Sequence, residues 1–242
     1  MGKFFFKPHE REGCIVKITD YTAHHMHNVL RFRVGQEIML CDGECVDYHA
    51  KLTEVFEKPL ALIFSLLSST ASKSEPIVPL ALYQGIPKGD KIEWIIEKCI
   101  EAGASNIVPV FTSRTIAKVG SLAKKTERFA RIAESAAAQS MRGIVPHVSL
   151  SQSFDEALAG CPSSDLLLVA YEKEDVHTIK SAIINIQPRP VSLWVGPEGG
   201  FADHEIQALV AKGALPVSLG SRILRTETAG IVALTQILCT WE

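Results

Sequence analysis

Apolar runs and helical segments alternate along the chain from residue 76 onward. The runs PIVPLALYQG, SNIVPVFTSR, DLLLVAYE, VSLWVG and PVSLGS are typical of short buried strands, and segments such as KGDKIEWIIEKCIEAGA, which are typical of helices, separate them. Strands that are buried on both faces and connected by helices form mainly parallel sheets. The alternation therefore predicts an α/β domain over the larger part of the chain.

The first helical segment of this domain carries its own end signals. Asp90 followed by Glu93 resembles a capping box, and Gly103 is typical of a helix C-terminus. Apolar residues at helical spacing predict the face that packs on the sheet. They are Ile92, Ile95, Ile96, Cys99 and Ile100.

The first 70 residues follow a different pattern. Thr22 is predicted to cap a helix that contains AHHMHNVLRF, and an Asp42-Gly43 turn lies between runs of mixed alternating character. These features indicate a small, mostly β unit. The polar segment SSTASKSEP, residues 68–76, is the best linker in the chain. We therefore predict two domains, at residues 1–70 and 74–242.

The composition favours a cytoplasmic protein. No apolar run approaches the roughly 18 residues that a membrane span needs, and the N-terminus lacks the apolar core of a signal peptide. The six cysteines include no C-x-x-C pair, and we expect them to be reduced thiols. A hydrophobic content of 47% is enough to bury a substantial core without disulfides.

Charge is distributed unevenly along the chain. The net charge is −2, but residues 1–72, 73–146 and 147–242 carry −1, +4 and −5 respectively. A positive surface built from the N-terminal arm and the middle of the chain would suit a nucleic acid and would be hidden by the whole-chain total. Ordinary solvated lysines on helix faces explain the same charges. Charge alone leaves both interpretations open.

Three loops that follow predicted strands are the best candidates for a binding site. They are Ala170-Tyr171-Glu172, Gly196 to Gly200, and Gly220 to Thr228. In open α/β sheets, ligands bind beyond the carboxyl ends of the strands. The second loop lacks both glycine-rich phosphate-binding fingerprints, which disfavours a nucleotide-dependent oxidoreductase. It also suits a tight strand-to-helix connection, but the third loop has more charged residues than a connection requires.

Several motifs occur together in one order. They are HHMHNVLRFRVGQEI, Gln84 with KGDKIEWIIEKCIEAGA, Gln139-Ser140 with Arg142, VGPEGGFADHE, and LGSRILRTETA. In this combination the chain resembles, over nearly its whole length, the bacterial 16S ribosomal RNA (uracil N3)-methyltransferase family of the SPOUT class. One departure follows GPEGGF, where Ala202 replaces the family's usual serine cap, and we expect Asp203 to cap the helix instead.

The resemblance implies an N-terminal PUA-like β-barrel and a C-terminal SPOUT-type α/β domain with a deep trefoil knot within roughly residues 165–235. It implies that the knot loops hold S-adenosyl-L-methionine. The implied cofactor-binding residues are Leu168, Ala170, Gly196, Pro197, Glu198, Gly199, Gly200, Leu219, Gly220, Ile223, Leu224, Arg225, Thr226, Thr228 and Ala229. It also implies a homodimer, in which the apolar last helix AGIVALTQILCTW is either a core helix or part of the interface.

The chemistry of uracil methylation limits the choice of catalytic residues. N3 of uracil carries a proton near neutral pH, so the site must remove that proton or stabilise the anion as it forms. Arg225 is our first candidate for stabilising the anion, and Arg222 is the second. Glu198 would favour the cationic cofactor or act as a base, although bonding to backbone amides of its own turn explains it equally well. Displacement at a sulfonium needs no metal.

The implied partner is 16S ribosomal RNA of the small ribosomal subunit. The candidate RNA-binding residues are His24, His25, Arg31, Arg33, Lys88, Lys91, Arg114 and Arg142. A metal site at HHMH is disfavoured because no Cys, Asp or Glu cluster has ligand spacing. Two alternatives stay open: a SPOUT methyltransferase with another RNA target, and a non-catalytic RNA-binding assembly factor. The intact Gly196 to Gly200 loop and Arg225 argue against the second.

Overall fold

The computed structural model describes residues 2–116, 125–150 and 152–242, and these form two compact units. The first unit comprises the chain up to Glu75 together with Ala137–Val145, and the second comprises Pro76–Ala136 and Pro146–Glu242. The boundary at Glu75 lies inside the polar segment that we interpreted as a linker. Residues 137–145, which the sequence analysis placed in the second domain, belong to the first unit.

The first unit contains a six-stranded sheet. Its strands are β1 (Lys3–Phe5), β2 (Arg11–Glu12), β3 (Ile15–Ile18), β4 (Glu37–Cys41), β5 (Val46–Glu57) and β6 (Leu60–Ala71). The hydrogen-bonded order is β1-β4-β5-β6-β3-β2, and every pair except β1 with β4 is antiparallel. The described strands β1 and β2 form the two edges. One face buries a cluster that includes Phe6, Met26 and Phe64.

A short helix, α1 (Asp20–His24), leads into one π-helical turn, His25–Val29. The N-cap is Thr19, so the prediction that Thr22 caps this helix is wrong. The amide of Ala23 already donates to the Thr19 carbonyl at 3.3 Å, which places Thr22 inside the first turn. Ala23 and Met26 are buried under this segment, which leaves His24 on its exposed side.

The second unit is built on a parallel sheet, as predicted. Its strands are β7 (Leu80–Gly85), β8 (Asn106–Phe111), β9 (His147–Val148), β10 (Gln152–Ser153), β11 (Leu166–Ala170), β12 (Val191–Val195) and β13 (Leu215–Val217). The order is β10-β8-β7-β12-β11-β13, with β9 also pairing with β8, and every pair is parallel. Tyr83 and Trp194 stack at 4.4 Å between centroids where β7 meets β12.

Helices connect these strands. They are α2 (Lys91–Glu101), α3 (Thr126–Gln139), α4 (Phe154–Gly160), α5 (Ile179–Ile183), α6 (Asp203–Ala211) and α7 (Thr226–Trp241). The predicted apolar face of α2 is confirmed, because all five of its residues are buried. The predicted capping box is wrong. Asp90 is the N-cap residue, but its carboxylate bonds to Lys125 at 2.6 Å rather than to an amide of its own helix.

Among the described residues, no helix is long and apolar enough to cross a membrane. The knot within residues 165–235 stays a prediction from the resemblance.

Candidate functional site

Four neighbouring strands of the second unit end at the same edge of the sheet. Strands β7, β12, β11 and β13 are adjacent and parallel, so the loops after them meet at their carboxyl ends. These loops include all three that the sequence analysis selected, together with the connection from β7 to α2. The arrangement is the one in which open α/β sheets bind ligands.

The loop from Gly196 to Gly200 folds back on itself. The amide of Gly200, at a φ of +68°, donates to the Pro197 carbonyl at 2.8 Å. A Cβ on Gly196 would lie 2.9 Å from the Gly200 backbone, and a Cβ on Gly85, at the end of β7, would lie 2.5 Å from Pro197 Cδ. Side chains at these two positions would therefore force the loop to move.

A buried chain of hydrogen bonds connects this loop to β7 and α7. The Thr226 hydroxyl donates to the Gly196 carbonyl at 2.6 Å and accepts from Gln84 Nε2 at 2.9 Å. Gln84 Nε2 also donates to the Gly85 carbonyl at 2.9 Å. Thr226 and Gln84 are both buried. Thr226, which we predicted as a cofactor contact, therefore uses its side chain to join the loops.

A second, more exposed set of contacts joins the same elements through charges. Lys91 Nζ lies 3.3 Å from Glu198 Oε1 and 3.3 Å from Glu227 Oε2. The Glu198 carboxylate also accepts from the Lys88 amide at 3.1 Å. Burial alone would raise the pKa of Glu198, but the bonds from the Glu198 and Lys88 amides and the Lys91 ammonium outweigh burial and lower it. Glu198 is thus an ionised carboxylate with occupied oxygens and a weak candidate for a base.

The loop between β13 and α7 presents both of the candidate arginines to solvent. Arg225 is the N-cap of α7, its side chain is 84% exposed, and its Nη1 lies 4.0 Å from Glu227 Oε1. Arg222 is exposed, and Ile223 is 94% exposed. Among the described residues, the amides of residues 221–224 have no hydrogen-bond partner. Open backbone donors beside a glycine loop fit a polar cofactor of the predicted kind.

The other predicted cofactor-binding residues differ in how far they are buried. Leu168 is fully buried inside β11, whereas Ala170 is half-buried at the end of that strand. The side chain of Leu168 therefore has no accessible surface, and its role in the pocket wall stays a prediction. Ala229 is buried in α7, and Thr228 is half-buried.

The loop after β8 also contacts the Gly196 to Gly200 turn. The Arg114 guanidinium donates to the Gly199 carbonyl. The buried Glu205 carboxylate accepts from the Ser113 amide at 2.8 Å and from the Ala202 amide at 2.7 Å. Ala202 is the N-cap of α6 and makes no side-chain cap bond, so the prediction that Asp203 caps this helix is wrong. Glu205 takes over part of the missing cap's role.

The predicted RNA-binding residues differ in accessibility. In the first unit, His24, Arg31 and Arg33 are exposed and His25 is half-buried. In the second unit, Lys88 and Arg114 are exposed, whereas Lys91 is half-buried between two carboxylates.

Arg142 does not fit the RNA-binding role that we predicted for it. It is only 2% exposed, and its Nη2 pairs with Glu75 Oε2 at 2.6 Å. Glu75 also accepts from the Gly143 amide at 2.7 Å. The ion pair fixes residues 137–145 within the first unit, so Arg142 has a structural role.

Sequence reasoning missed three residues that shape the site. Gln84 was named only within a family motif, Gly85 lies in a strand that was interpreted only as buried core, and Glu227 was counted only as loop polarity. The signal that would have found Gln84 is an amide side chain inside an apolar strand, because a buried amide requires partners. Within residues 2–116, 125–150 and 152–242, no group of three or more His, Cys, Asp or Glu side chains could hold a metal.

Comparison with known proteins agrees with this architecture. The family model of the RNA methyltransferase domain matches residues 73–238, and that of the RNA methyltransferase PUA domain matches residues 18–64. Ribosomal RNA small subunit methyltransferase E of Bacillus subtilis is 34% identical over 98% of this chain and 96% of its own. The protein of the same name from Synechocystis is 36% identical over 95% of this chain and 75% of its own.

A solved structure covers the whole fold. It is a ribosomal RNA small subunit methyltransferase E from Neisseria gonorrhoeae bound to S-adenosyl methionine, with a TM-score of 0.87 and 32% identity over 100% of this chain and 98% of that one. The predicted combination of a SPOUT-type α/β domain with a PUA-like domain is confirmed. The chain belongs to the family of small-subunit ribosomal RNA methyltransferases, which use S-adenosylmethionine, as its sequence motifs indicated.

Proposed function

We propose that this protein transfers the methyl group of S-adenosylmethionine to N3 of a uridine in 16S ribosomal RNA of the small ribosomal subunit. The observation that carries the proposal is the match over nearly the full length to enzymes named small subunit methyltransferase E. The loops at the carboxyl ends of β12 and β13 supply the site that such an enzyme needs.

The residues around these loops fit the cofactor. Gly196 to Gly200 and Leu219 to Arg225 would hold it through backbone groups, since glycines permit close approach and the amides of residues 221–224 are open in the described part of the chain. When bound, S-adenosylmethionine supplies a methyl carbon activated by a sulfonium sulfur. The protein's contribution is then alignment of uracil N3 with that carbon and control of the N3 proton.

Arg225 is the residue that we assign to the uracil anion. Its guanidinium is permanently charged, exposed and fixed at its backbone by the start of α7. Arg222, three residues earlier in the same loop, is the second candidate. Glu198 is a structural carboxylate in this proposal, because its oxygens are occupied and its pKa is lowered. Arg225 would stabilise the uracil anion as it forms, and the N3 proton would pass to solvent water rather than to Glu198.

RNA binding is assigned to exposed basic residues of both units. His24, Arg31 and Arg33 in the first unit and Lys88 and Arg114 in the second would neutralise phosphates. We propose a cytoplasmic location, because the proposed substrate is the small ribosomal subunit. We also propose a homodimer: α7 keeps Ile231, Val232, Leu238 and Trp241 only half-buried, and Ile223 is almost fully exposed, so apolar surface remains for a second copy.

The test is methyl transfer from labelled S-adenosylmethionine to small ribosomal subunits that lack the modification, with the product nucleoside identified by mass spectrometry. Wild type should form 3-methyluridine. Arg225→Ala should lower the rate by a factor of about 100 or more, as loss of one charge-stabilising donor does in other active sites. Its dissociation constant for S-adenosylhomocysteine should stay within about threefold of wild type.

Other outcomes would redirect the assignment. Methylation of a different base by the wild type would keep the fold and the cofactor but replace the substrate. Cofactor binding by neither form, with RNA binding retained, would favour the non-catalytic assembly factor. Full activity in Arg225→Ala would transfer the catalytic assignment to Arg222.

A further inference from the structure

Lys91 occupies an unusual position for a lysine. It is the first residue of α2, and a positive charge at a helix N-terminus opposes the helix dipole. Helix stability therefore does not explain the side chain. Its ammonium lies between Glu198, in the loop after β12, and Glu227, in the first turn of α7, at 3.3 Å from each carboxylate.

The two carboxylates belong to the elements that would surround the cofactor. Glu198 lies in the middle of the Gly196 to Gly200 turn, and Glu227 lies two residues after Arg225, which it approaches at 4.0 Å. Without a positive charge between them, these two carboxylates would repel each other across the site. The hydrogen bonds of the buried Thr226 side chain connect the same two elements. Lys91 therefore adds a charged, more exposed connection to a neutral, buried one.

Lys91 is poorly suited to the phosphate contact that sequence analysis assigned to it. An ammonium already paired with two carboxylates contributes little net positive charge to a phosphate backbone. Lys98 provides an instructive comparison on the same helix, because it also bridges two carboxylates, Glu97 at 2.7 Å and Glu101 at 2.8 Å. Both of those belong to α2 itself, whereas the partners of Lys91 lie on two other elements.

We propose that Lys91 is a positioning residue of the cofactor site, which holds the loop after β12 against the start of α7 through Glu198 and Glu227. This inference rests on the proposed function. Lys91 touches neither reactant; it determines the distance between the glycine turn and the loop that carries Arg225. Cofactor affinity then depends on Lys91, and RNA affinity does not depend on its charge.

The experiment compares the full-length Lys91→Met, Lys91→Arg and Lys98→Met variants by calorimetric titration with S-adenosylhomocysteine. Lys91→Met should weaken binding by about tenfold, because the pocket must be assembled during binding. Lys91→Arg should recover most of the affinity. Lys98→Met should bind as wild type, since it removes the same charge and the same number of ion pairs without connecting the loops.

Two further readouts separate positioning from the other possible roles. The salt dependence of RNA binding should be unchanged in Lys91→Met, whereas loss of a phosphate contact would reduce the slope by about 0.7 to 0.9. The urea unfolding midpoints of Lys91→Met and Lys98→Met should agree, so that the difference in affinity is not a difference in folding.

Wild-type cofactor affinity in Lys91→Met, or a reduced salt slope with unchanged cofactor affinity, would refute the role of Lys91 alone. A wild-type protein that does not bind S-adenosylhomocysteine would instead refute the proposed function. The two failures are therefore distinguishable in one series of titrations.

Discussion

Replacing Thr226 by valine tests whether the buried hydrogen bonds hold the cofactor loops together. Valine keeps the shape of threonine and removes the hydroxyl, which donates to the Gly196 carbonyl at 2.6 Å and accepts from Gln84 at 2.9 Å. Gln84 Nε2 keeps its bond to the Gly85 carbonyl. The Gly196 carbonyl loses the donor that Thr226 supplied, so the main cost is one partly buried acceptor without its partner.

That cost sets the expected magnitude. An unsatisfied buried polar group costs about 1 to 3 kcal/mol, so Thr226→Val should lower the free energy of unfolding of the second unit by about 2 kcal/mol. Thr226→Ser keeps the hydroxyl and loses one methyl group, for which we expect about 0.8 kcal/mol. Thr235→Val is the matched control: Thr235 is exposed on the same helix, bonds only to the Ile231 carbonyl, and should change stability by less than about 0.5 kcal/mol.

Tryptophan fluorescence during urea unfolding measures the free energy of unfolding of the second structural unit. The three tryptophans, Trp94, Trp194 and Trp241, all lie in the second unit, so the signal is not mixed with unfolding of the first. The valine variant should also bind S-adenosylhomocysteine more weakly than the serine variant. A free energy of unfolding in Thr226→Val that equals the wild-type value would show that the hydroxyl contributes nothing to the contact between the loops.

Two further substitutions test contacts elsewhere in the chain. Gly85→Ala should weaken S-adenosylhomocysteine binding by more than about tenfold in a calorimetric titration, because the new Cβ would lie 2.5 Å from Pro197 Cδ. Gly160→Ala is the control: its Cβ would have no atom within 4 Å, and this variant should bind as wild type. Arg142→Met should destabilise the first unit by about 3 kcal/mol or more, because it leaves the Glu75 carboxylate without its charged partner. Circular dichroism in urea measures this loss, and a value below about 1 kcal/mol would contradict the structural role of Arg142.

The same ion pair predicts a dependence of stability on pH. Burial alone would raise the pKa of Glu75, but Arg142 and the amides of Gly143 and Ile144 outweigh it and hold the pKa below the ordinary value of 4.5. A carboxyl group whose pKa is lowered by folding stabilises the protein above its unfolded pKa, and this contribution is lost as the pH falls through the folded pKa. Unfolding free energy should therefore decrease below about pH 4.5 in wild type and less steeply in Glu75→Gln.

Local patterns in the sequence predicted the elements better than their ends. The apolar spacing in α2 identified its buried face, because a helix of this kind repeats its pattern within a few residues. The cap at Asp90 was predicted wrongly because the carboxylate bonds to Lys125, 35 residues away. A capping box and a distant ion pair require the same residue type at the same position, and only the fold determines which partner is nearer.

At the functional site, too, the sequence indicated which residues are present but not which residues they contact. The glycine loop and the loop of Arg225 could be placed at one edge of the sheet, because each lies in a contiguous motif that follows an apolar strand; the roles of their residues stay predictions. The partners of Glu198 and Thr226 were not, because Lys91, Glu227 and Gln84 come from separate loops that only the parallel strand order brings together. The sequence analysis named both Lys91 and Arg142 as RNA-binding candidates, yet each faces carboxylates of its own unit. A basic residue therefore indicates an RNA contact only after its internal partners are known, and in this protein that leaves the exposed basic residues as the ones to mutate for RNA binding.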